Sequence, residues 1–303
     1  MTATNHPTLN FLLGISLLVS LSCKSQETPL IANGAELKVV SDTYSFTEGP
    51  AMAPNGDIYF TDQPNDRIVK WSAANNSVSV FMEPSGRSNG LYFDNEGNLL
   101  ACADEKNQLW QIDTSNKEVT VLIDDYKGKK LNGPNDLWVD KKGGIYFTDP
   151  YYQRDYWKRT EMELEKQQVY YLSPDKKNIS VVADDLVQPN GIIGSADGKT
   201  LYVADIGDKK TYSYKMNTDG SLSDKTLFTN LGSDGMTLDN KGNVYLTGKG
   251  VIVFNKKGEK ILHIPIDQNW TANVTFGGKD QKTLFITAMN TVYTLDMNVS
   301  GVR

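Results

Sequence analysis

The chain has 303 residues and a formal net charge of −6, so its length suits one large domain or two ordinary ones. No basic stretch is long enough to follow a phosphate backbone, which argues against nucleic-acid binding. Gly, Tyr and Thr are plentiful while amphipathic helical stretches are scarce, and this composition favours an all-β protein.

The N-terminal residues are typical of an export signal. Residues 11–21 form an apolar run that is too short to span a bilayer but suits the hydrophobic region of a signal peptide. Ser22 before Cys23 resembles a bacterial lipoprotein cleavage site, at which the cysteine is lipidated. We expect a signal peptide over residues 1–22, a lipid on Cys23 and a short tether over residues 23–30. The protein would then be exported to the periplasm or outer membrane and would touch a membrane only through this anchor; a plain secretory signal is the alternative.

A turn followed by an apolar strand recurs six times along the rest of the chain. The turn positions, separated by 39 to 55 residues, are Gly56, Gly97, Gly143, Gly198, Gly242 and Gln281. The flanking segments alternate in the manner of strands, and this spacing is typical of a four-stranded propeller blade. The sequence therefore predicts that residues 31–303 form an all-β, six-bladed β-propeller with four-stranded blades.

A polar residue stands eight positions before each turn. These residues are Glu48, Asn89, Asn135, Asn190, Asp234 and Asn273. Each precedes a predicted innermost strand, so the symmetry of a propeller places all six around the central channel near one face. Asn and Asp are poor strand formers and costly to bury, so six aligned copies need partners. A shared ligand is the preferred interpretation; the alternative, strongest for Asn89 and Asn273, is that they cap strand entries through backbone amides.

This ring of two carboxylates and several amide oxygens suits a hard cation. Ca²⁺ accepts six to eight oxygen ligands in loose geometry, and Mg²⁺ or Mn²⁺ are possible substitutes. Zn²⁺ is the least suited substitute, because the chain has only two histidines. The sequence also lacks a nucleophile elbow, a Walker loop and a dinucleotide fingerprint.

The longest interval between turns predicts an insertion at residues 149–166, beside the ring. It carries the aromatic residues Tyr151, Tyr152, Tyr156 and Trp157, with Arg154 among them. These side chains could form a lid or a pocket wall, or they could only pack against the rim of the propeller. The sequence leaves both interpretations open.

Six short motifs, in order along the chain, resemble the senescence-marker-protein/gluconolactonase family. They are Glu48-Gly49-Pro50, Asn132-Gly133-Pro134-Asn135-Asp136, Tyr146-Phe147-Thr148-Asp149-Pro150, Pro189-Asn190-Gly191, Ser233-Asp234-Gly235-Met236 and Phe276-Gly277-Gly278. The resemblance runs from about residue 40 to residue 295. It implies a six-bladed propeller that holds a divalent cation, usually calcium, in its channel.

The resemblance also implies roles for individual residues. Glu48, Asn135, Asn190 and Asp234 would bind the metal, and Asp234 would also be the catalytic residue, as acid/base or as nucleophile. Among candidate substrate-binding residues, Arg87 and Asn89 match positions that hold substrate hydroxyls in some relatives. Asp136 matches an acidic position whose role stays open, and Tyr151 comes from the insertion.

The sequence therefore predicts a metal-dependent hydrolase that opens small lactones, sugar-type lactones among them, with the cation polarising the carbonyl. A calcium-dependent phosphotriesterase or aryl esterase on the same site is the nearest alternative. A noncatalytic propeller that binds a sugar or a partner protein is another, because fold does not fix function. The oligomeric state is open.

Overall fold

A computed structural model describes residues 1–3 and 29–302. Within those residues the chain forms twenty-four strands and one short 3₁₀ helix, Gln63–Asn65. The strands are β1 (Lys38–Ser41), β2 (Thr47–Met52), β3 (Ile58–Asp62), β4 (Arg67–Ser72), β5 (Ser77–Met82), β6 (Ser88–Phe93), β7 (Leu99–Ala103), β8 (Gln108–Ile112), β9 (Val119–Ile123), β10 (Leu137–Val139), β11 (Ile145–Asp149), β12 (Gln168–Leu172), β13 (Ile179–Ala183), β14 (Pro189–Gly194), β15 (Thr200–Asp205), β16 (Lys210–Met216), β17 (Leu222–Thr229), β18 (Met236–Leu238), β19 (Val244–Gly248), β20 (Gly250–Phe254), β21 (Lys260–Ile264), β22 (Asn273–Gly277), β23 (Thr283–Ala288) and β24 (Thr291–Asp296).

The strands form six four-stranded antiparallel sheets, which confirms the predicted six-bladed propeller. Five blades use consecutive strands, from β2–β5 to β18–β21. The sixth has the order β1-β24-β23-β22, so the N-terminal strand completes the last blade. Lys38 pairs with Thr294 in this seam, and the ring is closed by hydrogen bonds between the two ends of the chain.

The core lies between neighbouring blades. Strands β2 and β3 are almost wholly buried, whereas the outermost strand of the same blade, β5, is mostly exposed. Between the first and last blades, the rings of Phe60 and Phe285 lie 5.5 Å apart, and both side chains are fully buried. Removing this apolar surface from water is the main favourable contribution to the stability of the ring.

A repeated hydrogen-bonded turn ends the innermost strands on one face, called here the turn face. In three blades an aspartate accepts hydrogen bonds from the backbone two and four residues later; these are Asp94, Asp140 and Asp239. Asp239, for example, accepts from the N–H groups of Lys241 and Asn243, both at 2.9 Å. Gly242 between them has a φ of 78°, a value that glycine adopts without strain.

Both ends of the described propeller lie on the turn face. The backbone N–H of Asn298 donates to the carbonyl of Leu30 at 2.8 Å. The N–H of Asn240, in a turn of the fifth blade, donates to the carbonyl of Ser300 at 2.8 Å. The last residues therefore cross this face beside the segment that enters at Pro29.

The predicted export signal is not described by the structure. Of the signal peptide over residues 1–22, the lipidated Cys23 and the tether over residues 23–30, residues 4–28 lie outside the described residues. In the part of the chain that is described, no helix has the length and hydropathy needed to cross a membrane.

Candidate metal centre

Six polar residues meet at the end of the channel opposite the turn face, and we call them the ring: Glu48, Asn89, Asn135, Asn190, Asp234 and Asn273. Four lie in innermost strands, while Asn135 and Asp234 each stand two residues before one, β10 and β18. Five are buried, and Asp234 is partly exposed. The backbones of neighbouring ring segments are joined directly, since the N–H of Gly90 donates to the carbonyl of Asn135 at 2.7 Å.

Glycine follows most ring residues because the innermost strands approach one another too closely for a side chain. A Cβ on Gly49 would lie 2.1 Å from the carbonyl oxygen of Asn89. A Cβ on Gly235 would lie 1.9 Å from the side-chain amide of Asn273. The third blade departs from this pattern, because Asp136 occupies the position that is glycine in four other blades, and so it adds a carboxylate to the channel.

Three carboxylates from three different blades therefore share the channel. Burial, together with the charges of Asp234 and Asp136, raises the pKa of Glu48 well above its usual range. Burial raises the pKa of Asp136 to about 7, although two backbone N–H groups lower it. Desolvation raises the pKa of Asp234 to about 6. Among the described residues, no lysine or arginine forms an ion pair with any of the three, so no paired cation there compensates the charge of these carboxyl groups when they ionise.

The amide of Asn190 has an unpartnered oxygen. Its Nδ2 donates to Asp234 Oδ1 at 2.8 Å and to the hydroxyl of Tyr152 at 3.0 Å. Its Oδ1 is buried and has no hydrogen-bond partner in the described part of the chain. Buried polar atoms without partners are uncommon and destabilising, so each one needs an explanation. A cation in the channel would supply the missing partner.

The other asparagines of the ring differ in their contacts. Asn273 Oδ1 accepts from the N–H of Val274 at 2.8 Å, and its Nδ2 donates to Glu48 Oε2 at 3.3 Å. The capping interpretation therefore fits Asn273. It does not fit Asn89, whose side chain makes no hydrogen bond in the described part of the chain. The side chain of Asn135 makes none there either.

These donors fit a hard divalent cation. All are oxygens, and two of the expected ligands are carboxylates. Among the described residues these carboxylates have no ion-pair partner, and Asn190 Oδ1 has no hydrogen-bond partner. No three acidic, histidine or cysteine side chains of the described residues gather closely enough to hold a metal by themselves. The amide oxygens of Asn135 and Asn190 are thus needed to complete such a site.

The insertion between β11 and β12 folds against the neighbouring second blade. Three of its side chains converge on Asp104, at the end of β7. Arg154 Nε and the Tyr156 hydroxyl donate to Asp104 Oδ2 at 2.7 and 2.6 Å. Trp157 Nε1 donates to the backbone carbonyl of Asp104 at 3.0 Å. The insertion is therefore fixed to the propeller by a buried polar cluster and not by apolar packing alone.

Two of the candidate substrate-binding residues lie away from the ring. The guanidinium of Arg87 stacks over the ring of Tyr156 at 4.6 Å and donates to the carbonyl of Pro64 at 2.9 Å. Tyr151 packs its ring against Trp157, with 5.9 Å between ring centroids. Both residues belong to the wall around the insertion, whereas Asn89 and Asp136 face the channel.

Two further residues contact the ring. Tyr152, next to the predicted Tyr151, reaches Asn190. Trp270, in the loop before β22, donates from Nε1 to Asp234 Oδ2 at 2.6 Å. The sequence predicted Tyr152 only as one of four aromatic residues that could form a lid or pocket wall. No repeat position marked Trp270, because its loop lies outside the periodic part of the blade.

Comparison with known proteins identifies the family. Residues 46–290 match the family described as the SMP-30/Gluconolactonase/LRE-like region. A gluconolactonase of Zymomonas mobilis is 29% identical over 286 residues, covering 84% of this chain and 80% of that protein. A solved gluconolactonase structure from Xanthomonas campestris has a TM-score of 0.82 at 29% identity, covering 89% of this chain and 94% of that one.

A calcium-binding regucalcin from Agrobacterium tumefaciens shares the fold, with a TM-score of 0.75 at 18% identity over 88% of this chain and 95% of that one. The family match spans most of the chain and agrees with the six sequence motifs. This chain therefore belongs to the SMP-30/gluconolactonase/LRE-like family, as those motifs predicted.

Proposed function

We propose that this protein is a metal-dependent hydrolase that opens small lactones, sugar-type lactones among them, with Ca²⁺ as the preferred cation. The observation that carries the proposal is the channel itself, where, within residues 29–302, Glu48, Asp136 and Asp234 lack ion-pair partners and Asn190 Oδ1 lacks a hydrogen-bond partner. The similarity to gluconolactonases supports the choice of substrate class.

Glu48, Asn135, Asn190 and Asp234 would hold the cation, with Asp136 close to them. When bound, the cation supplies Lewis acidity that polarises an ester carbonyl and favours negative charge on its oxygen. Mg²⁺ and Mn²⁺ are the expected substitutes, because they also prefer oxygen ligands.

Asp234 is the proposed catalytic residue because it alone in the ring combines a carboxylate with exposure at the channel mouth. Hydrogen bonds from Asn190 and Trp270 fix its two oxygens at 2.8 and 2.6 Å. A carboxylate held in this way can transfer a proton or attack a carbonyl carbon without first reorganising.

The walls of the mouth would orient the substrate and leave access for the one water molecule that hydrolysis consumes. Tyr152 and Trp270 border Asp234 and Asn190 directly. Asn89, whose amide is free of hydrogen bonds within the described chain, is available to a substrate hydroxyl. Arg87 and Tyr151 would act further out, through the wall formed by the insertion.

The test is turnover of a substrate panel by metal-free and calcium-loaded protein. The panel contains gluconolactone, an aliphatic lactone, an aryl ester and a phosphotriester. We expect lactone hydrolysis that chelator removes and Ca²⁺ restores, and no activity in Glu48→Gln. Turnover of only the aryl ester or the phosphotriester would instead favour the alternative hydrolases, and no turnover with any cation would favour a binding propeller.

We also propose that the protein is exported and lipid-anchored through Cys23. The support is the apolar run over residues 11–21 followed by Ser22-Cys23. Because the described propeller begins at Pro29 on the turn face, an anchor there would leave the channel mouth facing away from the membrane. Incorporation of labelled fatty acid that is lost in Cys23→Ala would support this, and a soluble, unlabelled mature protein would contradict it.

A further inference from the structure

The orientation of the Asn190 amide is fixed by its neighbours. Both N–H groups of Nδ2 are used, one by Asp234 Oδ1 and one by the Tyr152 hydroxyl. Turning the amide over would place Oδ1 beside the carboxylate of Asp234, where two acceptors would repel each other. Oδ1 therefore remains the atom that is left for a ligand.

Asp234 is held in the same manner from the opposite side. Its Oδ2 accepts from Trp270 Nε1 at 2.6 Å while its Oδ1 accepts from Asn190. A continuous chain of hydrogen bonds thus runs from Tyr152 through Asn190 and Asp234 to Trp270. The two inner members belong to the ring, and the two outer members come from loops outside it.

We infer that Tyr152 and Trp270 are positioning residues for the cation site, so that cation binding and docking of the insertion strengthen each other. This inference rests on the proposed function, because it assumes that the channel binds a divalent cation. Residues that orient metal ligands typically contribute about 10- to 100-fold to metal affinity or activity. By linkage, a contact that increases cation affinity must itself be strengthened when the cation binds.

The insertion can carry this coupling because it is attached at two places. Tyr152 contacts the ring, and two residues further on Arg154 forms an ion pair of 2.7 Å with buried Asp104. The segment between these contacts is too short to let one end move freely while the other stays bound. Cation binding at the ring therefore strengthens the docking of the whole insertion, which lies over the channel mouth.

Calorimetric titration of the purified, metal-free full chain with Ca²⁺ tests the inference without any substrate. Tyr152→Phe removes one hydroxyl and Trp270→Phe removes one N–H, and we expect each to weaken Ca²⁺ binding about tenfold. The matched controls are Tyr151→Phe and Trp71→Phe, which change the same kinds of side chain where the polar atom bonds only within its own segment, to Gln153 and to Asn76. Both controls should bind Ca²⁺ as the wild type does.

Hydrogen exchange of residues 150–166 gives the second readout. Ca²⁺ should slow exchange there in the wild type and in Tyr151→Phe, and should do so much less in Tyr152→Phe. Unchanged Ca²⁺ affinity in Tyr152→Phe and Trp270→Phe would overturn the inference while leaving the proposed function intact, as would equal losses in the controls. A wild type that binds no divalent cation would overturn both.

Discussion

Asp234 and Asp239 lie at opposite ends of the same short strand, β18, and their partners differ in kind. Asp239 is buried and accepts from Lys241, Asn243 and Tyr245, all within its own blade. Asp234 accepts from Asn190 in the preceding blade and from Trp270 in the loop that leads to the following one. Local partners build the turn, whereas convergent partners from separate blades build a site.

The same contrast separates Asp149 from Asp104, which end the second strands of neighbouring blades. Asp149 accepts from the N–H groups of Asn132 and Gly133 at 2.9 and 2.8 Å, and so shapes the segment that leads to Asn135. Within the described residues Asp104 makes no such pair of backbone bonds, and its carboxylate accepts from Arg154 and Tyr156 instead. The equivalent position therefore shapes the backbone in the third blade and attaches the insertion in the second.

The largest effect is expected at Asp234. Asp234→Ala should lower kcat/KM at least about a thousandfold, as is usual when a catalytic group is removed. The free energy of unfolding in chelator should change little, because the change also relieves repulsion with Glu48. Asn273→Ala is the ring control and should cost about tenfold or less, since Asn273 is engaged as a cap.

Kinetics and denaturant unfolding of both variants measure this difference. Near wild-type activity of Asp234→Ala at saturating substrate would contradict the catalytic role. Equal losses in the two variants would show that the ring acts only as a structural unit.

At the other end of the strand, Asp239→Ala should act on stability. It leaves the N–H groups of Lys241 and Asn243 without acceptors, so the free energy of unfolding should fall by about 3 kcal/mol. Asp239→Asn should cost less, because an amide oxygen still accepts both bonds. Activity per folded molecule should stay at the wild-type value in both variants. A loss of kcat in Asp239→Asn would contradict the assignment of a purely structural role to Asp239.

The smallest effect is expected at Asp104. Asp104→Asn weakens the hold on Arg154 and loosens the insertion, so we expect KM values to rise by up to about tenfold and by different factors for different lactones. The control is Asp184→Asn, which removes an exposed ion pair with Lys166 at the end of the insertion and should change nothing measurable. Steady-state kinetics over several lactones measure this effect. An identical ranking of the lactones by Asp104→Asn and by the wild type would mean that the insertion does not select substrates.

Periodicity explains what the sequence could predict. The interval of eight residues between ring and turn located Glu48, Asn135, Asn190 and Asp234, because symmetry maps equal sequence positions to equal places around the channel. It also gave the number of blades. The closing strand β1 had no such signal, since its partner Thr294 lies more than 250 residues further along the chain.

Contacts made by non-repeating loops could not be predicted in the same way. Tyr152 reaches the ring from the insertion, and Trp270 reaches it from a connection between blades whose sequence does not repeat, so no periodic position marks either residue. The choice of Tyr152 over the neighbouring Tyr151 depends on which way each side chain points from an irregular backbone. The longest interval between turns predicted that the insertion would border the site, but not that Asp104 would attach it to the second blade.

Calcium titration of the metal-free protein is the decisive test for a cation site built by convergent residues in the channel. Calorimetry compares the wild type with Glu48→Gln, a substitution that removes one carboxylate charge and keeps the shape of the side chain. We expect about one Ca²⁺ bound per wild-type chain, because the channel offers one all-oxygen site, and severely weakened binding in Glu48→Gln. A wild type that binds no divalent cation, or a Glu48→Gln variant that binds Ca²⁺ as tightly as the wild type, would contradict it.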